Sequence, residues 1–449
     1  MPEQINRIPP SSMEAEQSVL GAMLLSENCV LAAAEKLKEE DFYSKAHRRI
    51  WRAMADLAAA FYDYPSRELK LVGITGTNGK TTTATLLYDL VRALGYKAGL
   101  ISTVVYRIEG REIEATHTTP DSIRLNALMR EMADAGCEFC FMECSSHAIV
   151  QERTRGLSFA GGIFSNITHD HLDYHKTFAE YIRAKKRFFD MLPAGSFALT
   201  NLDDRNGRVM VQNTAAAVHT YSLRGMADFR CRIVETHLDG MLLRIDGQEV
   251  WVGLLGRFNA YNLLAVYGTA VLLGLDRSEV LRVLSTLRPV SGRFEIVRAA
   301  NGTTAVVDYA HTPDALENVL RTIEEIRTPQ QQLLVVCGCG GDRDRTKRPE
   351  MAQIAVQYAS TAIFTSDNPR HESPEAILDE MVAGLDPGTR YLRIADRAEA
   401  IRTAVMLSHP GDVILVAGKG HETYQIIGDV KHHFDDREEV RRAFETLLR

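Results

Sequence analysis

Residues 71–91 read LVGITGTNGKTTTATLLYDLV, and this stretch decides the fold of the larger part of the chain. The apolar run Leu69–Thr75 predicts a β-strand, and the periodic apolar residues of Thr81–Leu94 predict an amphipathic helix. The glycine-rich turn between them lets the backbone approach an anion, and the free N–H groups of a helix N-terminus favour negative charge. The stretch therefore predicts a nucleotide phosphate site; the alternative is an ordinary glycine-rich turn between a strand and a helix.

Two side chains of this turn suit phosphate and metal chemistry. Lys80 supplies a cation for the β- and γ-phosphates, and the hydroxyl of Thr81 can ligate Mg²⁺. The usual phosphate loop has a glycine five residues before the position of Gly79, whereas this chain has Ile74 there. The first glycine is Gly76, so the loop is shorter than the usual one.

Outward from this stretch, short apolar runs alternate with amphipathic segments, as in a mostly parallel sheet covered by helices. The predicted strands are Leu69–Thr75, Ala98–Thr103, Phe139–Cys144, Gly162–Ile167 and Phe197–Leu202. The predicted helices between them are Thr81–Leu94, Ser122–Ala135 and Phe178–Met191. Asp239-Gly240 and Asp246-Gly247 then separate alternating runs and predict β-hairpins.

A second series of strands and helices begins after Pro289. Its predicted strands are Thr304–Asp308, Leu333–Cys337, Ala362–Ser366, Tyr391–Ile394 and Val413–Ala417. The fold class is therefore α/β, and we expect three parts. These are a helical segment at residues 1–60, a central mostly parallel nucleotide-binding domain at 61–290 and a Rossmann-like domain at 291–449.

Composition excludes several classes of protein. The 449 residues are 45% hydrophobic and 25% charged, which is typical of a globular chain. Lys and Arg number 52 against 59 Asp and Glu, so the net charge of -7 gives no overall cationic field for nucleic acid. No apolar run reaches the roughly 20 residues of a membrane span, and residues 1–10 contain no apolar signal segment. Seven cysteines do not indicate a disulfide framework, so we expect a cytoplasmic protein with no membrane partner.

The shortened loop Gly76–Thr82 resembles that of the Mur ligases, which form amide bonds in peptidoglycan precursors. Further blocks that resemble the same family follow in order: Thr118–Asp121, Glu143–His147, Asp170–His175, Ala184–Lys185, Asn259–Asn262, Gly292–Glu295, Asp308–His311, Gly338–Asp344, Asp367–Arg370 and Gly418–Glu422. Together they resemble the branch of the family that adds the third residue of the stem peptide. The resemblance implies a ligase that uses ATP and Mg²⁺ to join meso-2,6-diaminopimelate to UDP-N-acetylmuramoyl-L-alanyl-D-glutamate through an acyl phosphate.

The resemblance assigns ATP and its metal to both α/β parts. The implied ATP-binding residues are Gly76, Thr77, Asn78, Gly79, Lys80, Thr81, Thr82, Asn259, Asn262, Arg293 and Asp308. The implied Mg²⁺ ligands are Thr81, Glu143 and His171, and a carboxylate and an imidazole at strand ends beside a phosphate loop suit this role. From the residues alone, a salt-bridged Glu143 and a surface His171 are the simpler interpretation, and the two asparagines also pass for helix-start residues.

Four residues take implied catalytic roles, namely Lys80, Lys185, Arg293 and His311. Lys185 lies in a basic segment that by itself indicates a solvated helix face. In the resembling enzymes the lysine at this place carries a carboxyl group from CO₂, which implies N6-carboxylysine at Lys185. That reaction needs a neutral amine, so burial or nearby cations must lower the pKa of the lysine. His311 is a candidate general base for the incoming amine.

The resemblance implies two further binding sites. The residues implied for the UDP-N-acetylmuramoyl-dipeptide are Thr118, Thr119, Ser145, Gln151 and Arg153. The residues implied for diaminopimelate are Arg343, Asp367, Asn368, Pro369, Arg370, Gly418 and Glu422. Arg370 suits the extra carboxylate of diaminopimelate and would repel the ammonium of lysine, although Asn-Pro-Arg alone is an ordinary loop turn.

Residues 1–60 depart from this family. The segments Asn6–Leu25, Glu40–Tyr43 and His47–Trp51 resemble the start of the N-terminal domain of replicative DNA helicases. Ser11 and Glu14 predict a capping box there, and Ile50, Trp51, Met54 and Leu57 predict one apolar helix face. The usual N-terminal domain of the Mur ligases, which helps to hold the uridine nucleotide, is not recognisable. We therefore expect a chimera whose apolar face docks on a protein partner or within the chain, or else a segment with local disorder.

Two alternatives to a Mur-type ligase remain open. A ligase similar to folylpolyglutamate synthetase would use a similar loop and metal site, although the blocks Thr118–Pro120 and Asp367–Arg370 argue against it. A non-catalytic or impaired chimera would instead act as a binding module that docks on a helicase or primase through residues 1–60.

Overall fold

The structure is a computed structural model that describes residues 12–25, 29, 33, 37, 42–168, 170–237 and 239–446. Residues 6–11, which include Ser11 of the predicted capping box, lie outside the described part, as do Glu40, Asp41 and the side chain of Trp51. Among the described helices, none combines the length and the apolar character that crossing a bilayer requires.

The N-terminal segment is helical, as the sequence predicts. It contains α1 (Met13–Leu25) and α2 (Lys45–Phe61), followed by a 3₁₀ turn at Pro65–Arg67. Glu16 of α1 pairs with His47 of α2 at 2.6 Å and joins the two helices. Of the predicted apolar face, Met54 is buried, whereas Ile50 and Leu57 are exposed.

Eleven of the described strands form one sheet. They are β1 (Lys70–Thr75), β2 (Ala98–Ile101), β3 (Val105–Ile108), β4 (Arg111–Glu114), β5 (Phe139–Glu143), β6 (Gly161–Phe164), β7 (Phe197–Asn201), β8 (Ala217–Ser222), β9 (Phe229–His237), β10 (Gly240–Ile245) and β11 (Gln248–Val252). Their order is β11-β10-β9-β8-β7-β6-β1-β5-β2-β3-β4. The seven strands from β9 to β2 pair in parallel, and antiparallel strands lie at both edges. The predicted hairpins β9–β10 and β10–β11 are confirmed.

Helices cover both faces of this sheet. They are α3 (Lys80–Ala93), α4 (Ser122–Asp134), α5 (Ser146–Val150), α6 (Leu172–His175), α7 (Phe178–Asp190), α8 (Gly207–Met210), α9 (Arg257–Leu272) and α10 (Arg277–Leu284). Successive residues of β1 point to opposite faces. Leu71 therefore joins the core beneath α4 and α7, whereas Val72 and Ile74 join the core beneath α3 and α9. We call this sheet with its helices the central lobe.

A second sheet forms what we call the C-terminal lobe. Its strands are β12 (Glu295–Arg298), β13 (Thr304–Asp308), β14 (Leu333–Cys337), β15 (Thr361–Phe364), β16 (Tyr391–Arg393) and β17 (Val413–Ala417), and β18 (Tyr424–Ile427) pairs with β19 (Val430–His433) in a separate ribbon. Its helices are α11 (Pro313–Ile326), α12 (Lys347–Tyr358), α13 (Pro374–Val382), α14 (Arg397–Leu407) and α15 (Asp436–Thr446). The strand order is β12-β13-β17-β14-β15-β16, with only β12 antiparallel. Both sheets confirm the predicted α/β class.

The topology brings functional side chains together at the carboxyl ends of the strands. Strands β5 and β6 flank β1 in parallel, so the segments that follow all three strands meet at one edge of the sheet. The phosphate loop follows β1, Glu143 ends β5, and the segment containing His171 follows β6.

Candidate active site

The turn after β1 requires glycine at two positions. Gly79 precedes α3 with a φ of 86°, and a Cβ there would lie 2.4 Å from Asn262 Oδ1. A Cβ at Gly76 would lie 1.9 Å from Ser165 Oγ. The loop therefore packs directly against the end of β6 and against α9, which only residues without a side chain permit.

Hydrogen bonds hold this loop in place. The backbone N–H of Asn78 donates to Asn166 Oδ1 at 2.9 Å, and the backbone N–H of Thr77 donates to the Asn166 carbonyl at 2.9 Å. Ser165 Oγ donates to the Asn78 carbonyl at 2.7 Å. Thr77 Oγ1 contacts Tyr181 Oη at 3.1 Å. The loop is thus preorganised by neighbours from the segment after β6 and from α7.

Two lysines meet beneath the loop. Lys80 Nζ donates to the carbonyls of Gly76 and Thr77 at 3.0 and 2.8 Å, and Lys185 Nζ donates to the same Gly76 carbonyl at 2.7 Å. Lys185 is only 1% exposed, so the solvated basic face suggested by its local sequence is wrong at this position. Burial, followed by the charge of Lys80, holds the pKa of Lys185 well below its ordinary value. Burial also lowers the pKa of Lys80.

Glu143 presents an unsatisfied carboxylate oxygen in a buried position. Its Oε1 accepts hydrogen bonds from Thr103 N at 2.7 Å and from Thr103 Oγ1 at 3.1 Å. Its Oε2 is buried and has no hydrogen-bond partner among the described residues. A buried carboxylate oxygen without a partner is costly, and a bound cation would satisfy it. The salt-bridged Glu143 of the simpler sequence interpretation is therefore wrong within the described part of the chain.

His171 lies on the same wall of the cleft in an uncommon backbone conformation, with a φ of 54°. Its Nε2 lies 3.3 Å from Asp170 Oδ2, and its side chain is 43% exposed. Burial and the charges of two lysines lower the pKa of His171 to about 4. The imidazole is therefore neutral at pH 7 and keeps a lone pair for a metal ion. It is also partly exposed, which agrees in part with the simpler interpretation of His171 as a surface residue.

The residues present fit a magnesium ion by their chemistry. A carboxylate oxygen without a partner, a threonine hydroxyl and a neutral imidazole line one cleft, at Glu143, Thr81 and His171. In the described part of the chain, no three His, Cys, Asp or Glu side chains surround a common metal position. Substrate oxygens and water would therefore complete the coordination of an ion held here.

The C-terminal lobe contributes a cation and an imidazole to this cleft. Arg293 donates from NH2 to Thr81 Oγ1 at 3.2 Å, its guanidinium lies 4.5 Å from the centre of the Tyr309 ring, and its buried Nε has no partner among the described residues. His311 Nδ1 lies 2.9 Å from the Tyr309 carbonyl. Because a carbonyl only accepts, Nδ1 carries the proton, and the lone pair of the neutral ring is on Nε2.

Two titratable groups of this lobe are strongly perturbed by their surroundings. Burial lowers the pKa of His311 to about 4, with the charge of Lys347 as the next cause. Burial raises the pKa of Asp308 to about 6, although Asp308 also accepts a hydrogen bond from Phe294 N at 2.7 Å. His311 is therefore neutral at pH 7 with a free lone pair, although burial makes it a weaker base than an exposed histidine.

The two lobes form a common cleft of about 510 Å³. It brings together most of the residues that the sequence implies for ATP, metal and catalysis, together with two of those implied for the nucleotide-peptide. These are Thr77, Asn78, Gly79, Lys80, Thr81, Thr82, Thr118, Glu143, Ser145, His171, Lys185, Asn262, Arg293, Asp308 and His311. Gly76 and Asn259 lie behind the wall, where Asn259 Oδ1 accepts a hydrogen bond from Asn262 Nδ2 at 3.1 Å. Asn259 thus supports Asn262 from within the fold.

The other residues implied for the nucleotide-peptide substrate form a connected group beside the cleft. Thr119 Oγ1 donates to the Glu143 carbonyl at 2.7 Å. Arg153 donates from NH1 to the Thr119 carbonyl at 2.7 Å and from Nε to Gln151 Oε1 at 2.8 Å. These contacts fix the loop before α4 against the turn that contains Arg153.

The residues implied for diaminopimelate cluster at the carboxyl ends of β14, β15 and β17, outside the lining of the cleft. Asn368 Nδ2 donates to Glu422 Oε2 at 2.8 Å, and Arg370 NH1 donates to the Gly341 carbonyl at 2.9 Å. Burial and the charge of Arg343 lower the pKa of Arg370, and a Cβ at Gly418 would lie 3.0 Å from Asp367 Oδ2. Tyr309 lines the cleft and reaches Glu422 Oε1 at 3.5 Å, which connects the two sites.

Sequence reasoning missed several residues that organise these sites. Lys419 is fully buried and donates to Asn368 Oδ1 and to Glu422 Oε2, both at 3.0 Å. Asp314 accepts a hydrogen bond from Asn78 across the lobes at 2.7 Å. Lys419 lies within the block Gly418–Glu422, and Asp314 lies shortly after the block Asp308–His311. The sequence therefore pointed to both regions, but it did not indicate the contacts that these residues make.

Comparison with known families gives three matches along the chain. Residues 74–270 match the Mur ligase middle domain, and residues 292–420 match the Mur ligase glutamate ligase domain. Residues 8–61 match the DnaB-like helicase N terminal domain. The helical N-terminal segment and the two lobes therefore have different relatives.

Two bacterial relatives carry the name UDP-N-acetylmuramoyl-L-alanyl-D-glutamate–2,6-diaminopimelate ligase. The protein of Cytophaga hutchinsonii is 58% identical over 397 residues, and that of Parabacteroides distasonis is 59% identical over 396 residues. Each match covers 88% of this chain and 82% of the relative.

Solved structures give the same result for the fold. A structure of a ligase with that same name aligns at a TM-score of 0.64 and 35% identity, over 89% of this chain and 84% of the other. Mycobacterium tuberculosis folylpolyglutamate synthase complexed with ADP aligns at a TM-score of 0.69 over 90% of this chain and 97% of that one, at 17% identity. The second likeness shows the fold alone.

Proposed function

The chain belongs to the Mur ligase family, and on that premise we propose that it joins meso-2,6-diaminopimelate to UDP-N-acetylmuramoyl-L-alanyl-D-glutamate with ATP. The observation that carries the proposal is the shared cleft in which Lys80 and Glu143 of the central lobe meet Arg293 of the C-terminal lobe. The names of relatives at 58% and 59% identity support this substrate pair. We assign residues 61–290 and 291–449 to two ligase domains, preceded by a helical segment at 1–60.

The phosphates of ATP would bind at the loop after β1. The donors for their oxygens are the N-terminal N–H groups of α3, Lys80 and the Nε of Arg293, from which no described residue accepts a hydrogen bond. Thr81, Glu143 and His171 would hold Mg²⁺, which would neutralise charge on the transferring phosphate. Asn262 of α9 and Asp308 of β13 are proposed contacts for the adenine and the ribose.

The reaction has two steps. The γ-carboxylate of D-glutamate attacks the γ-phosphorus of ATP, forming a carboxyl O–P bond while the bond to the β-phosphate oxygen breaks and ADP leaves. The neutral amine of diaminopimelate then attacks the acyl carbon, a C–N bond forms, the acyl C–O bond breaks, and inorganic phosphate leaves. The nitrogen loses one proton in this step, and the neutral Nε2 of His311 is the proposed acceptor.

Lys185 is the proposed site of carboxylation. Its amine is buried and its pKa is lowered, which favours the neutral form that adds to CO₂, giving a carbamate and releasing one proton. The neighbouring Lys186 instead pairs with Asp190 at 2.5 Å. A carbamate at Lys185 would place a negative charge beside Lys80 and the metal ligands.

The proposed nucleotide-peptide contacts are Thr118, Thr119, Ser145, Gln151 and Arg153, and the proposed diaminopimelate contacts are Arg343, Asp367, Asn368, Pro369, Arg370, Gly418 and Glu422. We also propose a cytoplasmic location, which the seven free cysteines support. A protein partner for residues 1–60 remains a proposal, supported by Ile50, Leu57 and Phe61, which are exposed along one side of α2.

A coupled ADP-release assay tests the proposed function and its specificity. Wild-type protein with ATP, Mg²⁺ and UDP-N-acetylmuramoyl-L-alanyl-D-glutamate should release ADP on addition of meso-diaminopimelate, and far more slowly with lysine. Arg370→Ala should raise KM for diaminopimelate about tenfold or more, because a charge-assisted contact to its second carboxylate is lost. KM for ATP should stay unchanged. The matched control is Arg402→Ala, which removes an exposed arginine of the same lobe. ADP release that does not depend on diaminopimelate would contradict the proposal.

A further inference from the structure

Asp314 joins the C-terminal lobe to the phosphate loop. It lies in the first turn of α11, after Thr312 and Pro313. Its Oδ2 accepts hydrogen bonds from Asn78 Nδ2 at 2.7 Å and from Thr168 Oγ1 at 3.3 Å. Asn318 of its own helix donates to the same oxygen at 3.2 Å. Two of the three donors belong to the central lobe, so one carboxylate oxygen bridges the cleft.

Asn78 transmits this contact to the whole loop. Its backbone N–H and carbonyl are held by the side chain of Asn166, at 2.9 and 3.1 Å, and its carbonyl also accepts from Ser165 Oγ. Thr168 in turn donates from its backbone N–H to Thr77 Oγ1 at 3.0 Å. Asp314 therefore contacts one residue of the loop, Asn78, and one residue that is hydrogen-bonded to the loop, Thr168.

A carboxylate at this place needs compensation. Burial raises the pKa of Asp314, because water that would solvate the charge is displaced. The donors from the central lobe and the N-terminal end of α11 both favour the charged form. The lobes must be together for the contacts to Asn78 and Thr168 to exist, so these two hydrogen bonds favour the closed arrangement.

A second contact across the lobes reaches the other end of the same loop, where Arg293 donates to Thr81 Oγ1. Since Arg293 is itself a proposed phosphate contact, its role cannot be separated from nucleotide binding. Asp314 also lines the cleft, but it has no such role in the proposed function, and its hydrogen bonds join it to Asn78, Thr168 and Asn318.

We propose that Asp314 is a positioning residue that ties the C-terminal lobe to the phosphate loop, so that lobe closure and the nucleotide-binding form of the loop occur together. The effect on the rate of ADP release rests on the proposed function. The effect on the affinity for a nucleotide does not depend on the proposed function.

The chain offers a matched control for removal of this carboxylate. Glu375 follows Ser373 and Pro374 at the start of α13, in the arrangement that Asp314 has after Thr312 and Pro313. Glu375 is exposed, and its carboxylate accepts from Ser373 Oγ at 2.8 Å. Glu375→Ala removes the same helix-terminal charge without touching the loop. Asp314→Asn is the conservative variant, because an amide oxygen still accepts from Asn78 Nδ2.

The experiment measures the Kd of a non-hydrolysable ATP analogue with Mg²⁺, and kcat and KM of ADP release, for the full-length protein and the three variants. Asp314→Ala should weaken the analogue about tenfold and lower kcat at least tenfold, since a small misplacement of reacting groups is costly. Asp314→Asn should keep at least a third of wild-type kcat, and Glu375→Ala should stay within twofold in both quantities.

The double variant Asn78→Ala/Asp314→Ala should bind the analogue no more weakly than the weaker-binding of the two single variants. The reason is that each single change already removes the same hydrogen bond. Asp314→Ala within twofold of wild type, or equal losses in Asp314→Ala and Glu375→Ala, would overturn the inference. If the wild type released no ADP with diaminopimelate, the proposed function would fail, and the analogue affinities would still decide the role of Asp314.

Discussion

Lys185 and Lys186 are neighbours in the sequence, yet the fold gives them different partners. Lys185 is buried beneath the Gly76 carbonyl, whereas Lys186 pairs with Asp190. The basic residues around them indicated solvent exposure, because a sequence pattern reflects the average exposure of the side chains in a segment. The depth of one side chain depends on tertiary packing beneath the loop, which no local pattern contains.

The proposed carboxylation gives a prediction at this scale. Protein equilibrated with ¹³C-bicarbonate should show one carbamate signal by NMR that is absent from Lys185→Ala and retained in Lys186→Ala. ADP release should fall at least a hundredfold in Lys185→Ala and stay within twofold in Lys186→Ala. A carbamate signal that persists in Lys185→Ala would contradict the assignment.

Two histidines of the C-terminal lobe predict a pH dependence of stability. Burial lowers the pKa of His311 to about 4 and that of His421 to about 3, whereas both titrate near 6.5 in an unfolded chain. Below pH 6.5 the unfolded state therefore binds protons that the folded state does not, and the free energy of unfolding falls as pH falls from about 6.5 to 4.

Urea unfolding at pH 7, 6 and 5 measures this loss. The loss between pH 7 and 5 should be smaller in His421→Gln than in wild type, because one group that charges only on unfolding has been removed. His432→Gln, at an exposed position, should behave as the wild type. An equal loss in His421→Gln would show that its imidazole is not held neutral.

At the scale of elements, β1, the phosphate loop and α3 were predictable, because an apolar run, paired glycines and a helical period each indicate one structure. Strand β2 was predicted to run to Thr103, but it ends at Ile101. It ends there because Ser102 Oγ accepts hydrogen bonds from Val104 N and Val105 N. Strand β12 and the β18–β19 ribbon were missed because these short strands are partly or fully exposed and lack the apolar run that marks the equally short β2, β6 and β15.

The docking of α2 on the central lobe gives a prediction for this element. Ala55, Ala58 and Ala59 form its buried face, and a Cβ at Gly156 would lie 3.4 Å from Ala59 Cβ. Ala59→Leu should lower the free energy of unfolding by about 1–3 kcal/mol, because a larger side chain has no space there. Leu57→Ala on the exposed side should change it by less than about 0.5 kcal/mol. Urea unfolding that fails to separate the two variants would show that α2 does not dock as described.

At the scale of the molecule, the two lobes supply complementary parts of one reaction. The central lobe provides the phosphate loop and the carboxylate of Glu143, and the C-terminal lobe provides Arg293 and His311. The family resemblance predicted that both lobes contribute, but it did not predict the contacts between them. The hydrogen bond from Asn78 to Asp314 joins residues 236 positions apart, and only the assembled fold brings such residues together.

An acyl phosphate intermediate predicts that one carboxylate oxygen is transferred to the released phosphate. UDP-N-acetylmuramoyl-L-alanyl-D-glutamate labelled with ¹⁸O in the γ-carboxylate is incubated with ATP, Mg²⁺ and meso-diaminopimelate, and the released phosphate is analysed by mass spectrometry. We predict one ¹⁸O in each phosphate and an equal amount of amide product. Phosphate without the label, or phosphate released without amide, would contradict the account.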